Sequence, residues 1–301
     1  MPAGELVEKA VVNLTFPGYA VPEKDTTYAK FAFNMHDEVN RAGLSTADSG
    51  LGSYFGIRFG IIKNSQQVHH LILYGCETKP QGEILTSPSE NGKMSCESVR
   101  YAWAVGGDDF CLPESVGIEF PVADRAAAWH VVEIHYDNPK STSGVVDTSG
   151  VTMQLVRKKA GVANTQLADY QPAGFMWVGV QVGGAIRIPP KTQTYHMQSR
   201  CSFSQLPAQG VNVFAYINHA HLLGRKLWTT LERENKYARD VGCDTAYDFD
   251  LQQIKAFPEP VKIYADDVLR ANCVYDSTGR TDVTLGGDET TNEMCINFLV
   301  Y

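Results

Sequence analysis

Eight histidines and one methionine are the residues of this chain whose types and spacing could do chemistry. His219-Ala220-His221 follows the strand-like run Val211–Ile217. Residues i and i+2 of a strand point to the same face, so two imidazoles could reach one metal ion. The plainer alternative is two polar side chains on a solvated strand face. His69-His70 opens the apolar run LILYGC. Neighbouring strand residues point to opposite faces, so this pair meets one ion only where the backbone twists or bulges. His135 lies in another β-like run, Val131–Tyr136, where a core histidine bonded to a backbone carbonyl is the commoner fate. Met294, beside Cys295, reads alone as core filler. Taken together the types favour copper. Three imidazoles suit zinc or copper, whereas two imidazoles and a thioether favour copper, because thioether is a soft ligand for Cu(I).

These residues must be held by short strands. The runs Leu71–Tyr74, Val131–Tyr136, Val151–Val156, Phe175–Val182, Val211–Ile217, Lys226–Leu231 and Ile296–Tyr301 are rich in Val, Ile, Tyr and Phe. Asn91-Gly92, Gly106-Gly107, Pro189-Pro190, Ser277-Thr278-Gly279 and Gly286-Gly287 punctuate them as turns. Helical periodicity is scarce; residues 97–105 and 122–129 each predict a short helix. Many short strands with long connections indicate all-β sandwiches of the jelly-roll or Greek-key kind. At 301 residues the chain has room for two domains. The polar stretch 157–174 places their boundary, giving units 1–165 and 166–301. No internal repeat or low-complexity tract interrupts this pattern.

With 26 Lys+Arg and 34 Asp+Glu the net charge is −8, which disfavours nucleic acid or anionic membrane as a partner. No apolar stretch approaches the ~18 residues of a membrane span. The opening MPAGELVEKAVV lacks a basic, apolar leader, so the chain is expected to be cytosolic or a mature form. The seven cysteines form no CxxC pair, which removes the usual zinc-finger and thioredoxin spacings. Scattered single cysteines suit long-range disulfides and an oxidising compartment. Buried free thiols are the alternative, and an odd count leaves at least one cysteine without a partner inside the chain. Asn13-Leu14-Thr15 is a glycosylation sequon consistent with a secreted glycoprotein.

Four segments, in order, resemble the copper type II, ascorbate-dependent monooxygenases, the family of dopamine β-monooxygenase and peptidylglycine α-hydroxylating monooxygenase. VHHLILYGC (68–76) resembles the family's histidine-pair segment and VVEIHYDNP (131–139) its third-histidine segment. INHAHLLGRK (217–226) resembles its HxH segment, and CVYDSTGRTDVTLGGDETTNEMC (273–295) its methionine signature. The resemblance implies two jelly-roll-like β-sandwich domains, one copper each, facing across a cleft. It implies that His69, His70 and His135 hold an electron-storing copper. His219, His221 and Met294 would hold the copper at which oxygen binds and a C–H bond is broken. It also implies disulfides Cys76–Cys96 and Cys273–Cys295. A further family disulfide, with one partner near 27–30, is missing as a pair. Cys201 matches a family cysteine, which makes Cys201–Cys243 a candidate pair and leaves Cys111 as the candidate free thiol.

The activity implied is hydroxylation of an unactivated C–H bond of a small organic substrate, with ascorbate as electron donor and O2 as co-substrate, in a secreted or secretory-vesicle setting. The peptidylglycine enzyme grips a carboxylate with side chains whose matching positions here are Ile217, Ile296 and Phe298, and none of these can make a charge-assisted bond. HLLGRK and EMCINFLVY resemble the dopamine β-monooxygenase branch more closely, and Tyr301 matches a tyrosine near that branch's active site. An arylalkylamine would need a carboxylate; Glu133, two residues before His135, shares its strand face and is the candidate. Three rival readings stand beside this one. A non-catalytic copper-binding protein would tolerate loss of ligands, yet all six positions are filled. A zinc hydrolase built on His69, His70 and His135 leaves HxH and Met294 unexplained. A β-sandwich binding module requires six coincidences. Oxygen uptake linked to ascorbate oxidation separates the enzyme from all three.

Overall fold

The computed structural model describes residues 7–44, 52–80, 84–86, 96, 98–126, 128–158, 170–180 and 185–301, and almost all of its regular structure is β. The chain divides into two units, Met1–Trp103 with Asp108–Gly174, and Ala104–Gly107 with Phe175–Tyr301. The expected boundary at 165/166 and the turn at Asn91-Gly92 lie outside the described residues.

In the first unit the strands are β1 (Val7–Thr15), β2 (Tyr19–Ala20), β3 (Thr26–Asn34), β4 (Ser53–Ile62), β5 (Val68–Gly75), β6 (Ile84–Thr86), β7 (Ser98–Ala104), β8 (Phe110–Cys111), β9 (Val116–Pro121), β10 (Trp129–Asp137), β11 (Val146–Asp147), β12 (Gly150–Lys158) and β13 (Gln171–Pro172). One sheet runs β1-β12-β4-β9-β13 with β8 attached to β4; the other runs β6-β3-β10-β5-β7. β10 is central in its sheet, and Val131, Val132, Ile134 and Tyr136 are fully buried on its two faces. A central strand covered on both faces is usually apolar throughout; here His130, Glu133 and His135 are buried exceptions, each with a polar partner.

The expected helices at 97–105 and 122–129 do not form. Val99, Tyr101 and Trp103 are buried along β7, and these β-branched and aromatic residues suit a pleated surface better than a helix. Residues 122–126 and 128 are bends, turns and irregular chain leading into β10. The helix that does form among the described residues is α1 (Met35–Arg41). Asn34 caps it, its side chain accepting the His36 N–H at 3.1 Å. Asp37 and Glu38 stand in the first turn and Arg41 in the last, each matching the helix dipole. Met35 and Val39, four residues apart, form its buried stripe.

In the second unit the strands are β14 (Phe175–Val180), β15 (Arg187–Ile188), β16 (Tyr195–Ser202), β17 (Val211–His219), β18 (Gly224–Arg233), β19 (Lys236–Asp244), β20 (Lys255–Ile263), β21 (Val268–Tyr275), β22 (Thr284–Leu285) and β23 (Cys295–Val300). Two four-stranded sheets, β14-β23-β17-β20 and β16-β21-β18-β19, enclose one apolar core. Met176, Val178, Val213 and Leu299 enter it from the first sheet, and Leu227, Leu231, Leu269 and Ala271 from the second. Cys273 on β21 and Cys295 on β23 are disulfide-bonded and join the two sheets through that core. Cys76 and Cys96 are bonded in the first unit.

The Cys201–Cys243 pair does not form; both are free thiols, as is the exposed Cys111. The reason is topological. Cys201 lies on β16 and Cys243 on β19, the two outer strands of a four-stranded sheet. Three strand spacings of ~4.8 Å separate them, about 14 Å, and a disulfide needs Cα atoms within about 7 Å.

Candidate metal centres

The first centre is built on a fault in strand pairing. β10 and β5 are antiparallel, with His135 opposite His70, but the next residue, Tyr136, lies opposite Val68. His69 is therefore the extra residue of a β-bulge. A bulge re-aims a side chain that strict alternation would send to the far face. Three imidazoles are thereby gathered: Nδ1 of His70 stands 3.4 Å from Nδ1 of His69 and 3.1 Å from Nδ1 of His135. The ligand atoms of all three lie within 4.8 Å of one another. Nitrogens placed ~2.0–2.1 Å from one metal ion in a tetrahedral set would stand about 3.3–3.4 Å apart, so this spacing fits a metal site. Tyr28, opposite His135 on β3, stacks on its ring at 4.6 Å with 13° between the planes and fixes its rotation.

Not every histidine here is of this kind. His130, five residues earlier on β10, is buried with Nδ1 3.3 Å from the carbonyl of Ala128, and its ring packs on Phe120. Burial, then the Arg100 charge, push its pKa down to about 3 against that carbonyl bond, so it stays neutral. It is a core residue.

The second centre uses opposite ring nitrogens. His219 ends β17 and His221 follows in the connection to β18, with ring centres 5.2 Å apart. Nδ1 of His219 donates to Oε1 of Gln252 at 2.7 Å, and the Gln252 amide nitrogen donates to the Phe249 carbonyl at 2.8 Å. That second bond fixes which way the amide points, so the ring must carry its hydrogen on Nδ1. Nδ1 of His221 faces the Asn292 carbonyl at 3.1 Å, which can only accept. In both rings Nε2 is left with the lone pair a metal would use. Burial lowers the pKa of His219, opposed by the Gln252 bond, which favours the neutral ring that a metal would require.

The segment joining the rings is clamped. The Tyr247 hydroxyl donates to the Ala220 carbonyl at 2.5 Å and accepts the Ala220 N–H at 3.0 Å. The fully buried Glu293 carboxylate accepts the N–H groups of His221 at 2.8 Å and Leu223 at 2.6 Å. Burial pushes its pKa up to about 7, opposed by bonds from the Leu223, His221 and Met294 backbones. Glu293 thus ties the histidine segment to the chain that carries Met294. Met294 is buried, its carbonyl accepts the Tyr275 hydroxyl at 2.7 Å, and the disulfide at Cys295 follows directly. Two residues on, Ile296 pairs with His219, which puts the methionine beside the end of β17.

Gln252, Glu293, Tyr247 and Tyr28 were not singled out in the sequence. Each lies far from the histidine it supports or carries no distinctive spacing. Two expected substrate residues do not fit their roles. Glu133 is buried in an ion pair with Lys30 at 2.5 Å and accepts the Tyr74 hydroxyl at 3.3 Å, so its charge is already matched. Tyr301 packs against the core between the sheets, on the side of β23 opposite Ile296 and Phe298, because residues of odd and even number alternate faces.

The copper type II ascorbate-dependent monooxygenase N-terminal domain model matches residues 12–143, and the C-terminal domain model residues 171–301. Tyramine beta-hydroxylase of Caenorhabditis briggsae is 33% identical over 79% of this chain and 40% of its own length. DBH-like monooxygenase protein 1 of Gallus gallus is 28% identical over 96% of this chain and 46% of its own. Dopamine beta-hydroxylase of Canis lupus familiaris is 30% identical over 79% of this chain and 38% of its own. The chain therefore spans less than half the length of these relatives.

Proposed function

The chain belongs to the copper type II ascorbate-dependent monooxygenase family, and from that membership we propose that it hydroxylates a C–H bond of a small organic molecule, with O2 as co-substrate and ascorbate as electron donor. The single observation that carries this reading is the convergence of His69, His70 and His135 in a buried cluster, with Nδ1 of His70 facing Nδ1 of each of the other two. We assign one copper to these three residues and a second to His219, His221 and Met294. Copper would supply one-electron cycling and activation of oxygen, the chemistry that protein side chains lack.

The chain's own residues do the positioning. The bulge at His69 and the stacking of Tyr28 hold the first set. Gln252 and the Asn292 carbonyl hold the second set with Nε2 presented, and Glu293 and Tyr247 keep the segment between the rings from moving. A mixed nitrogen and thioether set suits a metal that alternates between Cu(I) and Cu(II). Such orienting partners of metal-bound histidines set both affinity and reactivity. The disulfides support an oxidising compartment. The sequon residue Asn13 stands exposed on β1, a strand at the edge of its sheet, where a glycan could be attached. Among the described residues no helix is long and apolar enough to cross a membrane. We assign residues 1–165 and 166–301 to the two copper domains, as the sequence suggested, although β13 (Gln171–Pro172) pairs with β9 and so packs with the first unit.

The test is elemental analysis after copper loading and desalting. About two coppers per chain are expected, and about one in His135→Ala. Met294→Ala should fold normally, bind Cu(I) more weakly than Cu(II) by comparison with the parent, and lose hydroxylation. Full hydroxylase activity in Met294→Ala, or a preference for zinc at both centres, would overturn the assignment.

A further inference from the structure

The sheet β14-β23-β17-β20 has a second apolar face, separate from the sandwich core. Ile217, Met294, Ile296 and Phe298 are buried there, and Phe175, Trp177 and Ile254 pack on them half-exposed. The register orders these residues in rows. His219, Ile296 and Gly179 are cross-strand partners in one row, and Ile217, Phe298 and Trp177 in the next. Alternate residues of a strand stand ~6.6–6.8 Å apart, so the apolar row begins one such step from the His219 imidazole. Trp177 and Phe298 meet edge to face at 4.9 Å and 80°. In this row the indole N–H of Trp177 is the sole polar side-chain group; Ile217, Phe298 and Ile254 have none.

We propose that the row Trp177, Phe298, Ile217 and Ile254 receives the end of the substrate remote from the reacting carbon, and that this end is an unsubstituted aryl or alkyl group, with neither charge nor ring hydroxyl. The proposal rests on the reading of His219, His221 and Met294 as the oxygen site, since that reading makes the neighbouring row a substrate surface. A carboxylate or ammonium on this row would find no counter-charge among Trp177, Phe298, Ile217 and Ile254, and a phenol hydroxyl would find only the indole N–H, so burial there would cost several kcal/mol for an ion and ~1–3 kcal/mol for a hydroxyl. Edge-to-face aromatic geometry and aliphatic neighbours favour a planar apolar ring. Glu133, the acid the sequence offered for an amine, is matched by Lys30 in the other unit.

The probes are 2-phenylethanol and its para-methyl, para-hydroxy and para-carboxylate forms, titrated calorimetrically into the full chain; ascorbate-dependent oxygen uptake of the copper-loaded chain is measured with the same compounds. The unsubstituted and methyl compounds should bind, the phenol should bind at least ~10-fold more weakly, a ~1.4 kcal/mol difference, and the carboxylate should not bind detectably. Trp177→Ala, at a half-exposed position that the fold can spare, should weaken 2-phenylethanol binding by about 10-fold, as expected for loss of an aromatic contact surface. Ile217→Arg should invert the order in favour of the carboxylate. Equal or tighter binding of the phenol or carboxylate, no binding by any of the four, or an unchanged affinity in folded Trp177→Ala overturns the proposal. Selective binding without turnover of any compound would instead sink the monooxygenase reading, and turnover without selectivity would sink the substrate assignment alone.

Discussion

The two candidate centres would present histidines to a metal by opposite means. In the first unit the three Nδ1 atoms face one another, and what aligns them is strand pairing: a bulge at His69, the His135–His70 register and the stacked Tyr28 ring. In the second unit Nδ1 of both rings is committed to Gln252 and the Asn292 carbonyl, so Nε2 is the nitrogen that a metal would meet. The first set is held by backbone and packing, the second by a shell of specific hydrogen bonds. Three imidazoles meeting at one bulge form a chemically uniform set of nitrogen donors. The second set mixes two imidazoles, each oriented by a separate hydrogen-bond partner, with a softer thioether. The difference predicts that substitutions of polar partners should damage the second centre and spare the first.

The largest such effect is expected at Glu293. Glu293→Ala removes the acceptor of the His221 and Leu223 N–H groups and leaves them buried without it. At ~1–3 kcal/mol per buried donor left unsatisfied, the loss should be about 3–5 kcal/mol. Urea unfolding measures it, and copper binding at the second centre should fall with it. Glu293→Gln keeps one acceptor oxygen and should lose about half as much. A cost below ~1 kcal/mol in Glu293→Ala would mean that the clamp is not what holds the HxH segment.

A more selective effect is expected at Gln252. Gln252→Leu removes the acceptor that holds Nδ1 of His219. Loss of such a partner costs ~10–100-fold in metal affinity. Competition with a chelator should show that loss at the second centre and an unchanged affinity at the first, and Gln252→Glu, which retains an acceptor, should restore most of it. Equal weakening of both centres would erase the distinction drawn above.

What was legible in the sequence follows from the same physics. Strand-forming runs and the two sandwiches could be read because side-chain alternation is a local property, whereas the six candidate ligands came from the resemblance of four segments to the family, since His135 and Met294 read alone as core residues. The condition that His69 and His70 share an ion only across a bulge was also legible, and the register shift at His135/Tyr136 meets it. Tyr301 could have been excluded on parity alone, since it is an odd step from Met294. Partners brought in by topology could not be read. Gln252 is 33 residues from His219, and Lys30 is 103 residues from Glu133 yet its direct cross-strand neighbour. Cys201 and Cys243 looked available to each other until strand order put two strands between them.

The smallest effect sharpens the comparison from inside the first unit. His130 and His135 share β10 and are both buried, yet only His135 meets other imidazoles; His130 meets a carbonyl. With its pKa held near 3 in the folded chain and ~6.5 when unfolded, His130 gives stability that is complete above about pH 6.5. That stability is lost as the pH falls toward 3, because the unfolded chain takes up a proton that the folded chain refuses. Between pH 6.5 and 4.5 the parent should lose about 2 kcal/mol more than His130→Leu, measured as the difference between their urea unfolding free energies at the two pH values. Parallel losses in the two proteins would show that His130 is hydrated or protonated in the fold. Its copper content should be unaffected by the substitution, since a ring whose Nδ1 is committed to Ala128 takes no part in the cluster of three.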